Sequence, residues 1–247
     1  VCISLYNYAD RILETLKSVK AQSQTTLELI IVDDASTDGG AELVHRWLET
    51  EGEHFASARL IQHKHNSGLA SARNTAFGAA NSDWCFVLDA DNFLEPDAVG
   101  QCLRIAKKSG PDTAVIHPII KIFYEETNLY PRPLLSKQCW KKELFEKGNY
   151  IDAMALVRRS AWKQVGGYTN IPGGWEDFDF WCKLIDAGLS GAMCPQQLAT
   201  YTVHSSSMAV SSSRRLERPL SRLLQHRHPW LQLPLAAEAT TTLSTFS

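Results

Sequence analysis

Two aspartates separated by one residue, Asp89 and Asp91, follow an apolar run at residues 84–88. Side chains alternate along an extended chain, so the two carboxylates point the same way and face one spot. A hard divalent cation suits that spot, because Mg²⁺ is usually held by one or two carboxylates together with substrate phosphates. The same sequence, Asp-Ala-Asp-Asn at 89–92, is also typical of a simple turn, and taken alone it favours the turn.

A second acidic pair, Asp33 and Asp34, follows the β-branched run at residues 27–32. Ligands of open α/β sheets bind in the crevice at the carboxyl ends of the strands, so both acidic pairs would meet there. This context favours a binding site over a turn at residues 89–92. Carboxylates of the second pair suit the recognition of a nucleotide base or ribose.

A third acidic pair, Glu176 and Asp177, follows two glycines and Trp175 and precedes apolar residues at helical spacing. The pair is therefore expected at or near a helix N-terminus, where carboxylates interact favourably with the helix dipole. Helix capping is one interpretation of Asp177, and proton transfer by a general base is the other. Trp175 suits either a sugar-stacking face or the core. His204 follows a short apolar stretch, where a lone histidine is usually a hydrogen-bonded surface residue.

These residues are far apart in sequence, and the apolar pattern predicts how they come together. Segments of helical spacing alternate with short apolar runs at residues 1–5, 27–32, 59–61 and 84–88. Such alternation predicts an α/β fold with a mostly parallel sheet covered on both faces. The alternation weakens after residues 114–116. Among the later residues only 153–157 suggest another strand, and helical spacing returns from Phe178 to Ile185.

Composition excludes several classes of protein. The 247 residues are 44% hydrophobic and 21% charged, which is typical of a globular protein. A net charge of -2 supplies no field for phosphate backbones, so we expect no nucleic-acid partner. The six cysteines have no C-x-x-C spacing, which favours free thiols in a reducing, cytoplasmic compartment. The chain begins at Val1 within an apolar run, and we expect it to be cut from a longer protein.

The C-terminal part is basic. Residues 211–227 carry five arginines and one acid, and we expect a basic helical extension over 211–235. Its arginines suit a solvated helix face, or peripheral contact with an anionic membrane through residues 214–228. Residues 236–247 have the composition of a disordered tail.

Several segments in register resemble the successive motifs of the inverting family 2 glycosyltransferases, which have the GT-A fold. The segments are ISLYNY at 3–8, VDDASTD at 32–38, NSGLASARN at 66–74, LDAD at 88–91, VGGY at 165–168 and GGWED at 173–177. The resemblance covers residues 1–208 and implies a glycosyltransferase domain over 1–210. Its Rossmann-like nucleotide-binding half would be 1–92, fused to an acceptor-binding half at 93–210. The mixed segment 123–150 would form part of the acceptor wall.

The resemblance also implies roles for the candidate residues. Five residues would contact the nucleotide, namely Ser4, Tyr6, Asp34, Arg73 and Asp89. The family usually has proline where this chain has Ser4, which weakens the assignment at that position. Asp91 and His204 would hold Mn²⁺ or Mg²⁺, and an imidazole ligand favours Mn²⁺. Asp177 would be the general base, with Glu176 and Asp152 as alternatives. Trp175 and Glu176 would contact the acceptor, and Glu176 would support Asp177 through hydrogen bonds.

The implied reaction is inverting, metal-dependent transfer of a sugar from a UDP-sugar to a hydroxyl of a glycan or lipid-linked saccharide. A sugar-phosphate nucleotidyltransferase shares the architecture but needs a glycine-rich loop after its first strand, and residues 4–7 contain no glycine. A catalytically silent nucleotide- or carbohydrate-binding module is a third interpretation. Such a module would need no base, so the presence of Asp89, Asp91, Asp177 and His204 together counts against it.

Overall fold

The protein is described by a computed structural model over residues 1–127, 132–204 and 213–234, and only the backbone is described at 213–216. The predicted tail at 236–247 lies outside the described residues. Nine strands in the described ranges form one sheet. They are β1 (Cys2–Leu5), β2 (Glu28–Asp33), β3 (Ser57–Gln62), β4 (Trp84–Asp89), β5 (Phe93–Leu94), β6 (Thr113–Tyr124), β7 (Leu134–Leu135), β8 (Leu156–Arg158) and β9 (Ser190–Val203).

The same ranges contain one 3₁₀-helix (Gly52–His54) and eight α-helices. They are α1 (Ile12–Lys20), α2 (Gly40–Glu51), α3 (Leu69–Ala79), α4 (Ala98–Ala106), α5 (Lys142–Phe145), α6 (Arg159–Gln164), α7 (Glu176–Asp186) and α8 (Ser213–Arg227). The strand order across the sheet is β3-β2-β1-β4-β8-β6-β9-β5, with β7 paired to β6.

The first four strands form a wholly parallel half of the sheet. Their residues alternate between two cores: in β2, Ile30 and Val32 pack on one face while Leu29 and Ile31 pack on the other. Helices α3 and α7 contribute to the first core, and α1, α2 and α4 contribute to the second. Both faces of a parallel sheet must be covered in this way, because crossover helices lie on each side. The predicted α/β fold with a mostly parallel sheet is confirmed.

The second half of the sheet is mixed. Strand β8 runs antiparallel to β4 and β6, whereas β9 runs parallel to β6. The sequence pattern predicted only residues 114–116 of the 12-residue strand β6, and it did not identify the 14-residue strand β9. Prolines interrupt the alternating pattern by which both strands would be recognised. The register between them shifts after Pro118, and Pro195 lies among the β9 residues that the shift skips. A proline has no N–H for a regular ladder and is confined to such irregular positions.

Helix α8 occupies most of the segment predicted to be a basic extension. Leu220 and Leu224 are buried in the core that α3 and α7 share. Arg218 and Arg222 face solvent. The apolar face of α8 is therefore part of the domain core, and contact of residues 214–228 with an anionic membrane stays a prediction.

Two further observations concern the chain's surroundings. None of the helices in the described residues combines the length and the apolar character that crossing a bilayer would take. All six cysteines are free thiols; five are buried and Cys139 is exposed.

The packing of α8 gives a stability prediction with a matched control. Leu224 is fully buried, whereas the adjacent Leu223 is 39% exposed. We expect Leu224→Ala to lower the free energy of unfolding by about 2 to 5 kcal/mol, because it removes transfer energy and leaves a cavity. Leu223→Ala should change it by less than about 0.5 kcal/mol. Urea unfolding of both variants checks this, and equal losses would show that α8 is not packed as described.

Candidate active site

Asp89 ends β4 at the carboxyl edge of the parallel half. Because side chains alternate, it shares a face of the sheet with Val87, which belongs to the core that α3 covers. Arg73 reaches it from α3: Nη2 donates a hydrogen bond to Oδ1 of Asp89 at 2.9 Å. The Asp89 side chain is still 26% exposed, so it also faces the crevice.

Asp91 and His204 come together from the two halves of the sheet. Nε2 of His204 lies 3.0 Å from Oδ2 of Asp91, and the ring of Tyr8 packs edge-on against the imidazole. Burial, followed by the charge of Asp89, raises the pKa of Asp91, although His204 opposes the shift. The two residues predicted to ligate a metal are therefore neighbours.

The donor set of this pair decides whether it fits a metal ion. In the described parts of the chain, no group of three or more His, Cys, Asp or Glu side chains could hold an ion by itself. A carboxylate and an imidazole nevertheless suit Mn²⁺, and an ion of this kind completes its shell with water and substrate phosphates. Asp91 and His204 thus fit a divalent ion that is held jointly with a diphosphate.

Asp34 lies just beyond β2 and is 3% exposed. Its Oδ1 accepts a hydrogen bond from the backbone N–H of Ser67 at 2.9 Å and lies 2.6 Å from Nδ1 of His63. Its Oδ2 accepts the N–H of Gly68 at 2.7 Å. Gly68 has φ +90°, and a Cβ there would lie 2.7 Å from Oδ1 of Asn170. Asp34 therefore orders the loop before α3, and its contact with a nucleobase stays a prediction.

Ser4 and Tyr6 lie on the first strand and just after it. Ser4 pairs with Val32 of β2 on one side and with Asp89 of β4 on the other, so it sits between the two acidic strand ends. Tyr6 is 45% exposed. The structure thus brings Ser4 to the predicted nucleotide crevice and leaves the Tyr6 ring accessible near it.

Glu176 is buried beside Arg73. Its Oε1 accepts a hydrogen bond from Nη1 of Arg73 at 2.7 Å, so the guanidinium bridges Glu176 and Asp89. The expectation that Glu176 supports Asp177 through hydrogen bonds is wrong, since no such bond joins them in the described structure. The physical reason is that Arg73 is only 3% exposed, and a buried cation needs carboxylate partners.

Asp177 is the second residue of α7, as predicted from the glycines that precede it. Its Oδ1 accepts the N–H of Phe178 at 2.7 Å, and its Oδ2 accepts a hydrogen bond from Nδ2 of Asn149 at 2.9 Å. Burial and then the charge of Glu176 raise the pKa of Asp177 to about 7, although Arg73 opposes the shift. A carboxylate with such a pKa is poised to exchange a proton near neutral pH.

Trp175 precedes α7 with φ +68°, a left-handed conformation that is uncommon for a bulky residue. Backbone strain of this kind is concentrated at functional sites. The half-buried indole packs edge-on against Phe178, with ring centroids 6.0 Å apart. One edge of the ring is thus part of the core, and the predicted contact of Trp175 with an acceptor stays a prediction.

Other residues at the site belong to none of the recognised motifs. Nε2 of His63 lies 2.9 Å from Oγ1 of Thr75, so His63 links Asp34 to α3. Burial raises the pKa of Asp152 to about 6, and the charge of Asp152 contributes to the raised pKa of Asp177. Asn149 donates to Asp177 from the mixed segment. These roles depend on contacts between residues that are distant in sequence, and no local pattern indicates them.

A cavity of about 450 Å³ lies elsewhere, beside the first residue of β4. Trp84, Trp162 and three cationic side chains line it, and Asp83 is its single acidic residue. It therefore lacks the paired carboxylates that the chemistry of the crevice requires.

The bridge made by Arg73 gives a second stability prediction. Arg73→Leu leaves the buried carboxylate of Glu176 without its cation, so we expect the free energy of unfolding to fall by about 3 to 5 kcal/mol. The matched control is Arg104→Leu, at an exposed position of α4, which should change it by less than about 0.5 kcal/mol. Chemical denaturation checks both variants, and equal stability of the two would contradict the bridge.

Comparison with known proteins identifies the family of this chain. The family model described as Glycosyl transferase family 2 matches residues 1–166. A succinoglycan biosynthesis protein of Rhizobium meliloti is 34% identical over 113 residues, which are 46% of this chain and 31% of that protein. A chondroitin synthase of Escherichia coli is 29% identical over 195 residues, which are 76% of this chain and 26% of that protein. The chain thus spans about a third or less of the length of these two relatives.

Solved structures show the same fold. Staphylococcus aureus TarS in complex with UDP-GlcNAc has a TM-score of 0.69 at 18% identity, covering 90% of this chain and 64% of that one. A mannosyltransferase of Pyrobaculum calidifontis, in complex with GDP-Man and Mn²⁺, has a TM-score of 0.66 at 20% identity, covering 91% of this chain and 61% of that one. The chain therefore has the GT-A fold and belongs to glycosyl transferase family 2.

Proposed function

We propose that this chain transfers a sugar from a nucleoside diphosphate sugar, a UDP-sugar, to a hydroxyl group of a glycan or lipid-linked saccharide, with inversion at the anomeric carbon. The family supports a glycosyltransferase. TarS with UDP-GlcNAc and the mannosyltransferase with GDP-Man support a nucleotide-sugar donor. We infer UDP because the carboxylate of Asp34, just beyond the end of β2, can accept the N3–H of uracil.

One observation carries the proposal: a single buried arginine joins the first turn of α7, which carries Asp177, to the acidic end of β4. Asp177 is adjacent to Glu176, and Arg73 connects Glu176 to Asp89 at hydrogen-bond distance on both sides. A base and a diphosphate-binding edge are thus fixed relative to each other by one buried side chain. Inverting transfer needs these two groups and no covalent nucleophile.

The reaction follows from this placement. Asp177 accepts the proton of the acceptor hydroxyl while that oxygen forms a bond to the anomeric carbon. The bond from the anomeric carbon to the diphosphate breaks on the opposite face, and the nucleoside diphosphate leaves with the bonding electron pair. Asp177 gains one proton, which it later passes to solvent. Its raised pKa suits this role, because a base works best when its pKa lies near the working pH.

Asp91 and His204 would hold the divalent ion, Mn²⁺ or Mg²⁺. Bound there, the ion would stabilise the negative charge that develops on the departing diphosphate. Asp89 points into the same crevice from the end of β4, and Ser4 lies between it and β2. We assign Ser4, Tyr6, Asp34 and Asp89 to the nucleotide, Arg73 to the nucleotide through Asp89, and Trp175 and Glu176 to the acceptor side.

The other interpretations have weaker support. A nucleotidyltransferase would need a glycine-rich loop after β1, whose backbone N–H groups bind the triphosphate. The turn after β1 contains no glycine. A silent binding module would need no general base, so the placement of Asp177 in the first turn of α7 counts against it. Neither alternative accounts for Asp177.

The central test of the base is the substitution Asp177→Asn. We expect release of UDP from UDP-sugars, in the presence of Mn²⁺, to fall by roughly 10²- to 10⁴-fold, because Asn cannot accept the proton. Affinity for UDP, measured by calorimetry, should stay near the wild-type value. Asp112→Asn, at an exposed position, is the matched control and should keep full activity. Near-normal turnover in Asp177→Asn would overturn the assignment of Asp177 as the base and leave Glu176 or Asp152 as the candidates.

The pH dependence of turnover gives an independent test. The pKa of Asp177 is raised to about 7, so the fraction able to accept a proton falls as the pH drops below that value. We expect kcat/KM to level off above about pH 7 and to fall about tenfold per pH unit well below it. Steady-state rates across the pH range check this. A profile that is flat between about pH 5 and pH 8 would contradict the assignment.

Metal dependence is tested by UDP binding. We expect UDP to bind more tightly with Mn²⁺ than with EDTA, because the ion neutralises the acidic crevice for the diphosphate. Asp91→Ala should remove that difference, whereas Asp112→Ala should keep it. Calorimetry measures each affinity. Equal affinity with and without Mn²⁺ in the wild-type protein would overturn the metal assignment.

A further inference from the structure

The last residue of α8 and the residues after it contact α7, which carries Asp177, and the segment that ends at Asn149. We call residues 227–233 the C-terminal strap. The strap lies outside the residues that match the family model, 1–166, and none of the motifs includes it. Its contacts are polar and specific on one side and apolar on the other, so it is more than a chain end lying on the surface.

The first set of contacts joins the strap to α7 at Asp179, which is fully buried. Nε of Arg227 donates a hydrogen bond to Oδ1 of Asp179, and Nη2 donates to Oδ2 at 3.2 Å, which makes a bidentate pair. Nη2 also donates to Oγ1 of Thr169 at 3.1 Å. Nε2 of His228 lies 3.1 Å from the same Oδ1 of Asp179.

The second set of contacts joins the strap to the far end of α7. Nδ1 of His228 lies 2.6 Å from Oδ2 of Asp186, and Nε1 of Trp230 donates to Oδ1 of Asp186 at 2.7 Å. Asp179 and Asp186 are two helical turns apart and lie on one face of α7. His228 is 3% exposed and places one ring nitrogen against each of these two carboxylates.

The third set joins the strap to the segment that carries Asn149. The backbone N–H of Gln232 donates to the carbonyl oxygen of Glu146 at 2.7 Å, and the ammonium of Lys142 lies 4.9 Å from the centroid of the Trp230 ring. Leu231 and Leu233 are buried in the core shared with α7. Residues 142–149 are thus tied to α7 through the strap, and Asn149 at their end donates to Asp177.

We propose that the C-terminal strap is a positioning element for the base: it fixes α7 against residues 142–149 and so holds the Asp177 carboxylate in register with Asn149 and the crevice. This inference rests on the proposed function of Asp177. It assigns positioning roles to Arg227 and His228, neither of which touches Asp177 itself.

The pKa of Asp179 agrees with strong hydrogen bonds between α7 and the strap. Burial opposes the charge of Asp179, yet the hydrogen bonds from His228 and Arg227 outweigh it and lower the pKa of Asp179. Asp179 therefore stays ionised and attached to the strap throughout the pH range in which Asp177 exchanges its proton.

The test compares Arg227→Gln and His228→Gln with the control Arg222→Gln, at an exposed position of α8. Rates of UDP release from a UDP-sugar are measured with Mn²⁺, well below the unfolding temperature of each variant. We expect kcat to fall by about 10- to 100-fold in the two strap variants, with the KM for the donor and the affinity for UDP unchanged. Arg227→Lys should recover part of the loss. A folded His228→Gln protein with wild-type kcat would overturn the proposal.

A second measurement separates this inference from the proposed function. The pKa of Asp177 is followed by NMR of the carboxyl carbon in protein labelled at aspartate. If the strap holds Asp177 in place, the pKa should drop from about 7 towards the ordinary aspartate value in His228→Gln and stay unchanged in Arg222→Gln. An unchanged pKa in His228→Gln would contradict positioning by the strap. Absence of UDP release by the wild-type protein, with this pKa shift intact, would instead overturn the proposed function alone.

Discussion

A single buried guanidinium determines the geometry of the crevice. Arg73 is 3% exposed and donates to Asp89 on one side and to Glu176 on the other. A buried cation without such partners would be costly, so the end of β4 and the start of α7 can occupy only a narrow range of relative positions. The acidic edge proposed for the nucleotide and the carboxylate proposed as the base are therefore set by one constraint.

Contacts elsewhere in the fold position the two helices, α3 and α7, that the Arg73 bridge connects. Helix α3 carries Arg73 and packs against β1 and β2, with Ala72 and Ala76 buried in the core beneath it. Asp34 fixes the loop that begins α3 by accepting two backbone N–H groups. At the other end of the bridge, the C-terminal strap contacts Asp179 and Asp186 of α7. The site is thus enclosed between a parallel sheet that sets the acidic edge and a helix whose orientation depends on distant contacts.

The parts of this arrangement that follow local sequence patterns could be predicted from the sequence. Strands β1, β2 and β4 are short apolar runs buried at nearly every position, as strands covered on both faces are. Asp89, Asp91 and Asp177 stand at strand or helix ends that turn residues mark. The hydrogen-bond partners of Glu176, His63 and Asp179 could not be predicted from the sequence, because each partner is distant along the chain. Strand β9 was missed for a related reason: Pro195 and its register shift interrupt the alternation that identifies a strand.

A crystal structure of the protein with UDP and Mn²⁺ would test the proposed site directly. We expect an anomalous peak for Mn²⁺ between Asp91, His204 and the diphosphate, and uracil near Asp34. Arg73 should still bridge Asp89 and Glu176, with Asp177 facing the open side of the diphosphate. A diphosphate bound away from Asp89 and Asp91, or a bridge replaced by a direct contact between Arg73 and a phosphate, would contradict the proposed site.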